Sequence, residues 1–187
     1  YAVYHGPEGI KRIALHAHNR AVDVATDLEK LGYKLTTKNF FDTIEVTGVN
    51  TEEIRKAAEA KQINFFYPDV QTVRISFDEV TSCDEVQDIV SVFAKGKSVE
   101  SACCKNGEDK KHFDAKFNRN TPYLAEKIFN RHRSETDMMR YIKKLERRDI
   151  SLAQSMISLG SCTMKLNAAT EMMPLSWGEL GNIHPFV

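Results

Sequence analysis

Charge of either sign in excess is the first thing this chain lacks: 26 Lys and Arg balance 26 Asp and Glu over 187 residues. That balance leaves no cationic footprint for nucleic acid or for an anionic membrane surface. Long apolar runs are missing too, since none nears the ~20 residues needed to cross a bilayer. The first residues, Tyr1-Ala2-Val3-Tyr4-His5-Gly6-Pro7, lack the basic start and apolar middle of a signal peptide. A soluble, intracellular protein is expected. Only four cysteines occur, at 83, 103, 104 and 162, with no Cys-x-x-Cys pair. This spacing argues against a zinc knuckle or a disulfide framework and for reduced thiols. His16 and His18 stand two positions apart, so on a helix they point to different faces and are expected to be solvated. No metal site is expected, and no internal repeat is visible.

What is present is a 42% apolar content, enough for a packed core. Gly6-Pro7-Glu8 suits a helix start, because Pro at the first position loses no useful donor and Glu8 complements the positive helix end. Ile10, Ile13, Ala14, Ala17, Ala21, Val24, Leu28 and Leu31 then recur at three- and four-residue steps, and Gly32 is placed for a C-terminal cap. Ile44 and Val46 alternate with Thr43, Glu45 and Thr47, which predicts a half-buried strand. Asn50 caps a second helix through about Lys61, with Ile54, Ala57 and Ala58 inward. Phe65 to Tyr67 and Thr72 to Phe77 predict a hairpin about a Pro68-Asp69 turn. Ser82 and Glu85 form a capping-box pattern for a helix whose inner face is Val86, Ile89, Val90 and Phe93. The predicted class is therefore α/β in the α+β sense: a small antiparallel sheet with helices on one face, in the order α-β-α-β-β-α, over residues 1–96.

Periodicity disappears from Lys97 to Asn120, and this stretch is assigned as a linker at 97–120. Residues 121–187 are expected to form a helical and irregular arm. Within it, a short helix is predicted from Leu124 to Phe129, and Ser134 with Asp137 opens another whose buried side is Met138, Tyr141, Ile142 and Leu145. The last apolar side chains, Met172, Met173, Leu175, Trp177 and Phe186, lack an evident partner in the sequence.

The most informative stretch is Ser158-Leu159-Gly160-Ser161-Cys162-Thr163-Met164-Lys165-Leu166-Asn167, followed by Asn182-Ile183-His184-Pro185-Phe186. Its small side chains, hydroxyls and thiol follow neither a helical nor a strand period. From the residues alone it is either a small-residue turn packed under a domain or a place of close backbone approach to a ligand. The stretch resembles the start of the second half of the P-protein of the glycine cleavage system, the pyridoxal-phosphate enzyme glycine dehydrogenase (decarboxylating). Further blocks resemble the same family in the same order: Tyr4-His5-Gly6-Pro7-Glu8-Gly9, Phe40-Phe41-Asp42-Thr43, Gln62-Ile63-Asn64-Phe65, Arg119-Asn120-Thr121-Pro122, His132-Arg133-Ser134-Glu135-Thr136, Tyr141-Ile142-Lys143-Lys144-Leu145-Glu146 and Asp149-Ile150-Ser151-Leu152.

The resemblance implies a fragment: the small domain of the first aminotransferase-like half, the linker, and the leading arm of the second half. It implies that glycine loses carbon dioxide at pyridoxal phosphate and that the aminomethyl group passes to the lipoyl arm of the H-protein, in a homodimer or in heterodimeric halves. It also implies a cytoplasmic location in bacteria and a mitochondrial one in eukaryotes. The family's cofactor lysine lies in a His-Lys step, and no such pair occurs here. No catalytic residue is therefore expected in this chain, and bound cofactor is not expected on it. Ser161, Cys162, Thr163, Asn167 and His184 are the candidates for a glycine and cofactor pocket wall, since hydroxyls, an amide and an imidazole suit a small carboxylate. Two other readings stay open: a non-catalytic module binding a small ligand, and an interface piece joining two larger domains.

Overall fold

A computed structural model describes residues 1–97, 103, 113–151, 154, 156 and 168–183. Helix α1 (Ala2–Lys30) contains one non-helical residue, Gly6, at φ 63° and ψ −178°. Pro7 thus begins the regular helix, as its fixed φ and missing donor favour. The far end closes by a Schellman arrangement: Gly32 N–H bonds to Glu29 O at 2.9 Å and Tyr33 N–H to Leu28 O at 3.0 Å. Gly32 sits at φ 91°, where a side chain is strained.

Strands β1 (Lys34–Leu35), β2 (Thr43–Thr47), β3 (Phe66–Asp69) and β4 (Thr72–Ser76) form one antiparallel sheet in the order β1-β2-β4-β3. Helix α2 (Thr51–Glu59) precedes β3, and helix α3 (Cys83–Ala94) follows β4. The predicted α-β-α-β-β-α order is present, with the two-residue β1 added before β2. The hairpin turn falls at Val70 and Gln71, not at Pro68-Asp69: Pro68 lies within edge strand β3, where its missing donor faces no partner, and Asp69 Oδ1 accepts the Gln71 N–H at 2.7 Å. Both predicted caps form, with Asn50 accepting from Glu52 and Glu53 and Ser82 exchanging bonds with Glu85.

The period-2 alternation sends Ile44, Val46, Val73 and Ile75 inward, all at most 2% exposed. They meet Ala21, Val24 and Leu28 of α1 and Val86, Val90 and Phe93 of α3 in one core cluster. Phe93 is the largest fully buried side chain; it meets Tyr33 edge-on at 5.4 Å and Phe65 at 6.0 Å, and its carbonyl accepts the Tyr33 hydroxyl at 2.8 Å. The opposite sheet face carries the Glu45–Arg74 pair, with Arg74 Nη2 2.6 Å from Glu45 Oε2.

Beyond α3 the structure differs from expectation in two places. Leu124 adopts φ 50°, so the predicted 124–129 helix is replaced by a 3-10 turn at Lys127–Asn130. Helix α4 (Glu135–Glu146) forms, capped by Ser134 Oγ on the Asp137 N–H at 3.2 Å. Its expected buried side is not buried: Met138 and Tyr141 are half-covered, and Ile142 and Leu145 are 48% and 40% exposed. An amphipathic stripe predicts a face that wants cover, and the described residues do not supply it for Ile142 and Leu145.

By its contacts the chain forms two compact units, Tyr1–Tyr141 and Ile142–Val187. In the second, short helices α5 (Ala169–Met172) and α6 (Gly178–Gly181) flank a 3-10 turn at Met173–Ser176. Met172, Met173, Leu175 and Trp177 are exposed there, and Phe186 lies outside the described residues.

Two tests follow from this packing. Phe93→Ala should destabilise the chain by about 3–5 kcal/mol in urea unfolding, whereas Phe66→Ala on the exposed edge should cost under about 1 kcal/mol. Glu45's carboxyl is held below the usual carboxylate range, first by the hydrogen bond from Arg74. A lowered carboxyl stabilises the fold above its unfolded value, and that contribution fades as pH falls through the folded value. Glu45→Gln should therefore melt below the parent protein near neutral pH, and the two melting curves should converge in acid.

Candidate functional site

The N-terminal half of α1 is where separated sequence blocks meet. Tyr1 to His5 make a turn ahead of Gly6, with His5 N–H on Tyr1 O at 3.0 Å. Against it lies Arg133, whose Nη1 donates to His5 O at 3.0 Å and whose Nη2 donates to Phe129 O and Asn130 Oδ1, both at 3.1 Å. A Cβ on Gly6 would overlap the Arg133 guanidinium and come within 2.6 Å of Phe129 O. Glycine is required twice there, for its φ and for the approach of Arg133. At the next residue, the Tyr123 hydroxyl donates to Pro7 O at 2.8 Å, and Arg119 stacks 5.2 Å over the Tyr123 ring. Tyr4 to Gly9, Arg119 to Pro122 and His132 to Thr136 are thus neighbours.

His18 joins the Phe40-Phe41 block to the same helix, and here the expected solvated histidine is corrected. His18 is 0% exposed, donates through Nδ1 to Phe41 O at 2.7 Å, and stacks on the Phe41 ring at 5.1 Å and 15°. The Phe113 ring lies 5.1 Å from the His18 ring, tilted at 57°. The carbonyl acceptor fixes the proton on Nδ1. His16 is half-buried, with Nε2 3.0 Å from Thr81 O. Both serve α1's packing, and among the described residues no group of His, Cys, Asp and Glu could hold a metal ion.

A groove of about 600 Å³ opens beside this junction, walled by Phe41, Phe113 and Tyr123 and edged by Glu8, Lys11 and Arg119. Apolar walls with cations at the rim suit an anionic or hydrogen-bonding group. Glu8 stands among the cations of that rim, so the groove's edge carries both signs of charge. Every lysine among the described residues is exposed. A lysine that holds pyridoxal phosphate works desolvated in a pocket, so the described residues do not fit that cofactor by themselves.

The predicted pocket residues Ser161, Cys162, Thr163, Asn167 and His184 all lie outside the described residues. The cysteine expectation is corrected at one pair: Cys83 and Cys103 are joined as a disulfide, with Cα atoms 5.8 Å apart. Cys104 and Cys162 lie outside the described residues. No helix among the described residues is long and apolar enough to cross a membrane.

Gly6 and Arg133 form a testable clasp. Gly6→Ala and Arg133→Gln should each raise amide exchange over residues 119–133, each costing on the order of 1–3 kcal/mol. Combined, they should cost much less than the sum, because both break the same contact.

Against known proteins, the family model described as Glycine cleavage system P-protein matches residues 1–93. Glycine dehydrogenase (decarboxylating) of Flavobacterium johnsoniae is 47% identical over 186 residues, covering 100% of this chain and 20% of that protein. The proteins named glycine dehydrogenase (decarboxylating), mitochondrial, from Pisum sativum and Mus musculus are 44% and 41% identical, again over 100% of this chain and 18% of theirs. The chain therefore spans about a fifth of the length of the curated relatives it matches.

Proposed function

Because this chain belongs to the glycine cleavage system P-protein family, we propose that it is the segment of a glycine decarboxylase that links the two halves of the enzyme and walls its glycine pocket. The observation that carries this reading is the identity running the whole length of the chain, 47% over 186 residues, to a protein named for that activity. In the longer protein, pyridoxal phosphate supplies the electron sink for decarboxylation, and the lipoyl arm of the H-protein takes up the aminomethyl group. The lysines among the described residues are exposed, which supports placing the cofactor's lysine outside those residues, and no step of the reaction is assigned to the described residues. Their part is positional. The Gly6–Arg133 clasp and the Tyr123–Pro7 bond fasten the segment leading into 151–187 onto the small domain that precedes it.

The pocket-wall role falls to Ser161, Cys162, Thr163, Asn167 and His184, as short polar groups suited to a carboxylate. An interface role is favoured by one observation, the exposed Met172, Met173, Leu175 and Trp177, which suit burial against a larger domain. The two roles are compatible in one segment.

In a full-length protein carrying this segment, Thr163→Val and Asn167→Leu should each lower kcat/KM for glycine roughly ten- to a hundredfold, a loss of about 1.5–3 kcal/mol in hydrogen bonding to a charged group. Melting temperature should change little. A drop of several degrees with unchanged glycine kinetics in both variants would leave the stretch as packing and defeat the pocket assignment.

A further inference from the structure

The sulfur pair at the start of α3 combines features that a purely mechanical cross-link does not need. Cys83 is the first residue of α3, after the Ser82 cap, so it sits at the positive end of a twelve-residue helix. Arg20 of α1 reaches the same point: its Nη1 lies 3.1 Å from Cys83 Sγ and contacts Cys103 Sγ as well. Arg20 is 17% exposed, and its buried Nε has no hydrogen-bond partner among the described residues. Arg20 Nη1 also pairs with Asp23 Oδ2 at 3.4 Å. A cation and a helix N-terminus gain little from a neutral disulfide. Beside a thiolate both gain a great deal, because they face a full negative charge in a partly desolvated place.

We propose that Cys83 and Cys103 form a reversible thiol–disulfide site, in which Arg20 holds the attacking sulfur as a thiolate and closure fastens residue 103 to the start of α3. Cys103 is 8% exposed and Cys83 is half-buried, so Cys83 is the sulfur that a reagent in solution meets first. Its co-reactant is a low-molecular-weight disulfide of the glutathione class. The Cys83 thiolate attacks one sulfur of that disulfide, forming a mixed disulfide and expelling one thiolate. Cys103 then loses its proton to solvent and attacks Cys83 Sγ, expelling the second thiolate. Two cysteines are oxidised by two electrons and one small disulfide is reduced to two thiols; a small dithiol reverses the sequence.

Among the described residues, the charged groups beside the pair come from α1 and the start of α3. Arg20 and Asp23 face it from α1, and Asp84 and Glu85 belong to the first turn of α3. Glu85 is occupied by the Ser82 N–H at 2.7 Å, and His16 is held on Thr81 O at 3.0 Å. Among the described residues Arg20 is the cation placed on the two sulfurs, and in the proposal it sets the thiolate, with Asp23 moderating it. Closing the pair removes a loop from the unfolded ensemble and anchors the chain beside α1, so oxidation state changes how firmly this edge of the small domain is held.

The test uses the 187-residue chain, equilibrated first with glutathione disulfide and then with excess dithiothreitol, quenched by alkylation and mapped by mass spectrometry. A Cys83–Cys103 peptide should appear, vanish on reduction and return on reoxidation; it should persist in Cys104→Ser and be lost in Cys103→Ser. Linkage that follows Cys104 instead, or that never forms, overturns the proposal. In Cys103→Ser, alkylation of Cys83 near neutral pH should be about tenfold faster than in the same protein carrying Arg20→Gln, with the two profiles converging in alkali, where any thiol is ionised. Arg20→Lys should keep most of the rate. A merely structural Arg20 would leave the profiles parallel, which refutes the role given to it. Should Arg20→Gln fail to fold, the parent protein decides: its Cys83 must react faster folded than in urea, and equal rates refute the thiolate.

Discussion

The covered state of α1 is the constraint on which the rest of the small domain depends. Ala21, Val22, Asp23, Val24 and Ala25 are five consecutive buried residues, with Ala17, His18, Asp27 and Leu28 buried on either side. A helix that faced only a sheet would bury one stripe and leave the rest wet. Here the sheet and α3 cover one side, and Phe41 and Phe113 cover His18 on another. Small residues make this arrangement workable, since Ala17, Ala21 and Ala25 let neighbouring elements come close. Two aspartates accept burial because each has a cation at hand, Arg20 for Asp23 and Lys30 for Asp27 at 2.7 Å.

The same helix explains why distant blocks of sequence belong together. Its N-terminal end breaks at Gly6, and on either side of the break the carbonyls of His5 and Pro7 accept from the side chains of Arg133 and Tyr123. Gly6 is the hinge of that arrangement, turning the first residues aside so that a guanidinium fits where a Cβ would stand. Residues 119–133 therefore dock by polar contacts to backbone, which fix geometry more than they add apolar burial. Such a junction suits a segment whose task is to hold a following region in place.

Much of the small domain was legible because its signals are local. Val86, Ile89, Val90 and Phe93 repeat at helical spacing, Ile44 and Val46 alternate, and Ser82 with Glu85 is a cap written into four residues. What sequence missed is long-range. His18 reads as polar until Phe41 O, 23 positions away, gives its ring a partner. Cys83 and Cys103 stand 20 apart across a helix, and pairing at such a distance depends on where the intervening chain goes, which spacing does not state. Leu124 offered no sign of its left-handed backbone, which leucine does not favour and which directly follows Tyr123, whose hydroxyl is bonded to Pro7 O. For the site, the sequence named Ser161 to Asn167 and His184 through a resemblance, and the described structure instead displays the junction that leads toward them.

The unsatisfied side of α4 carries the same logic outward. Ile142 and Leu145 share one helical stripe yet are 48% and 40% exposed, and Met173 and Trp177 further on are 57% and 54% exposed; apolar exposure of this kind suits an interface. The core around Phe93 shows the opposite state, with every facing position filled from within the chain. Among the described residues, then, apolar side chains are packed around Phe93 and exposed from Ile142 onward. Under the proposed reading of a chain that spans about a fifth of its relatives' length, that exposed surface is the part that the rest of such a protein would cover, whereas the core around Phe93 needs no such cover.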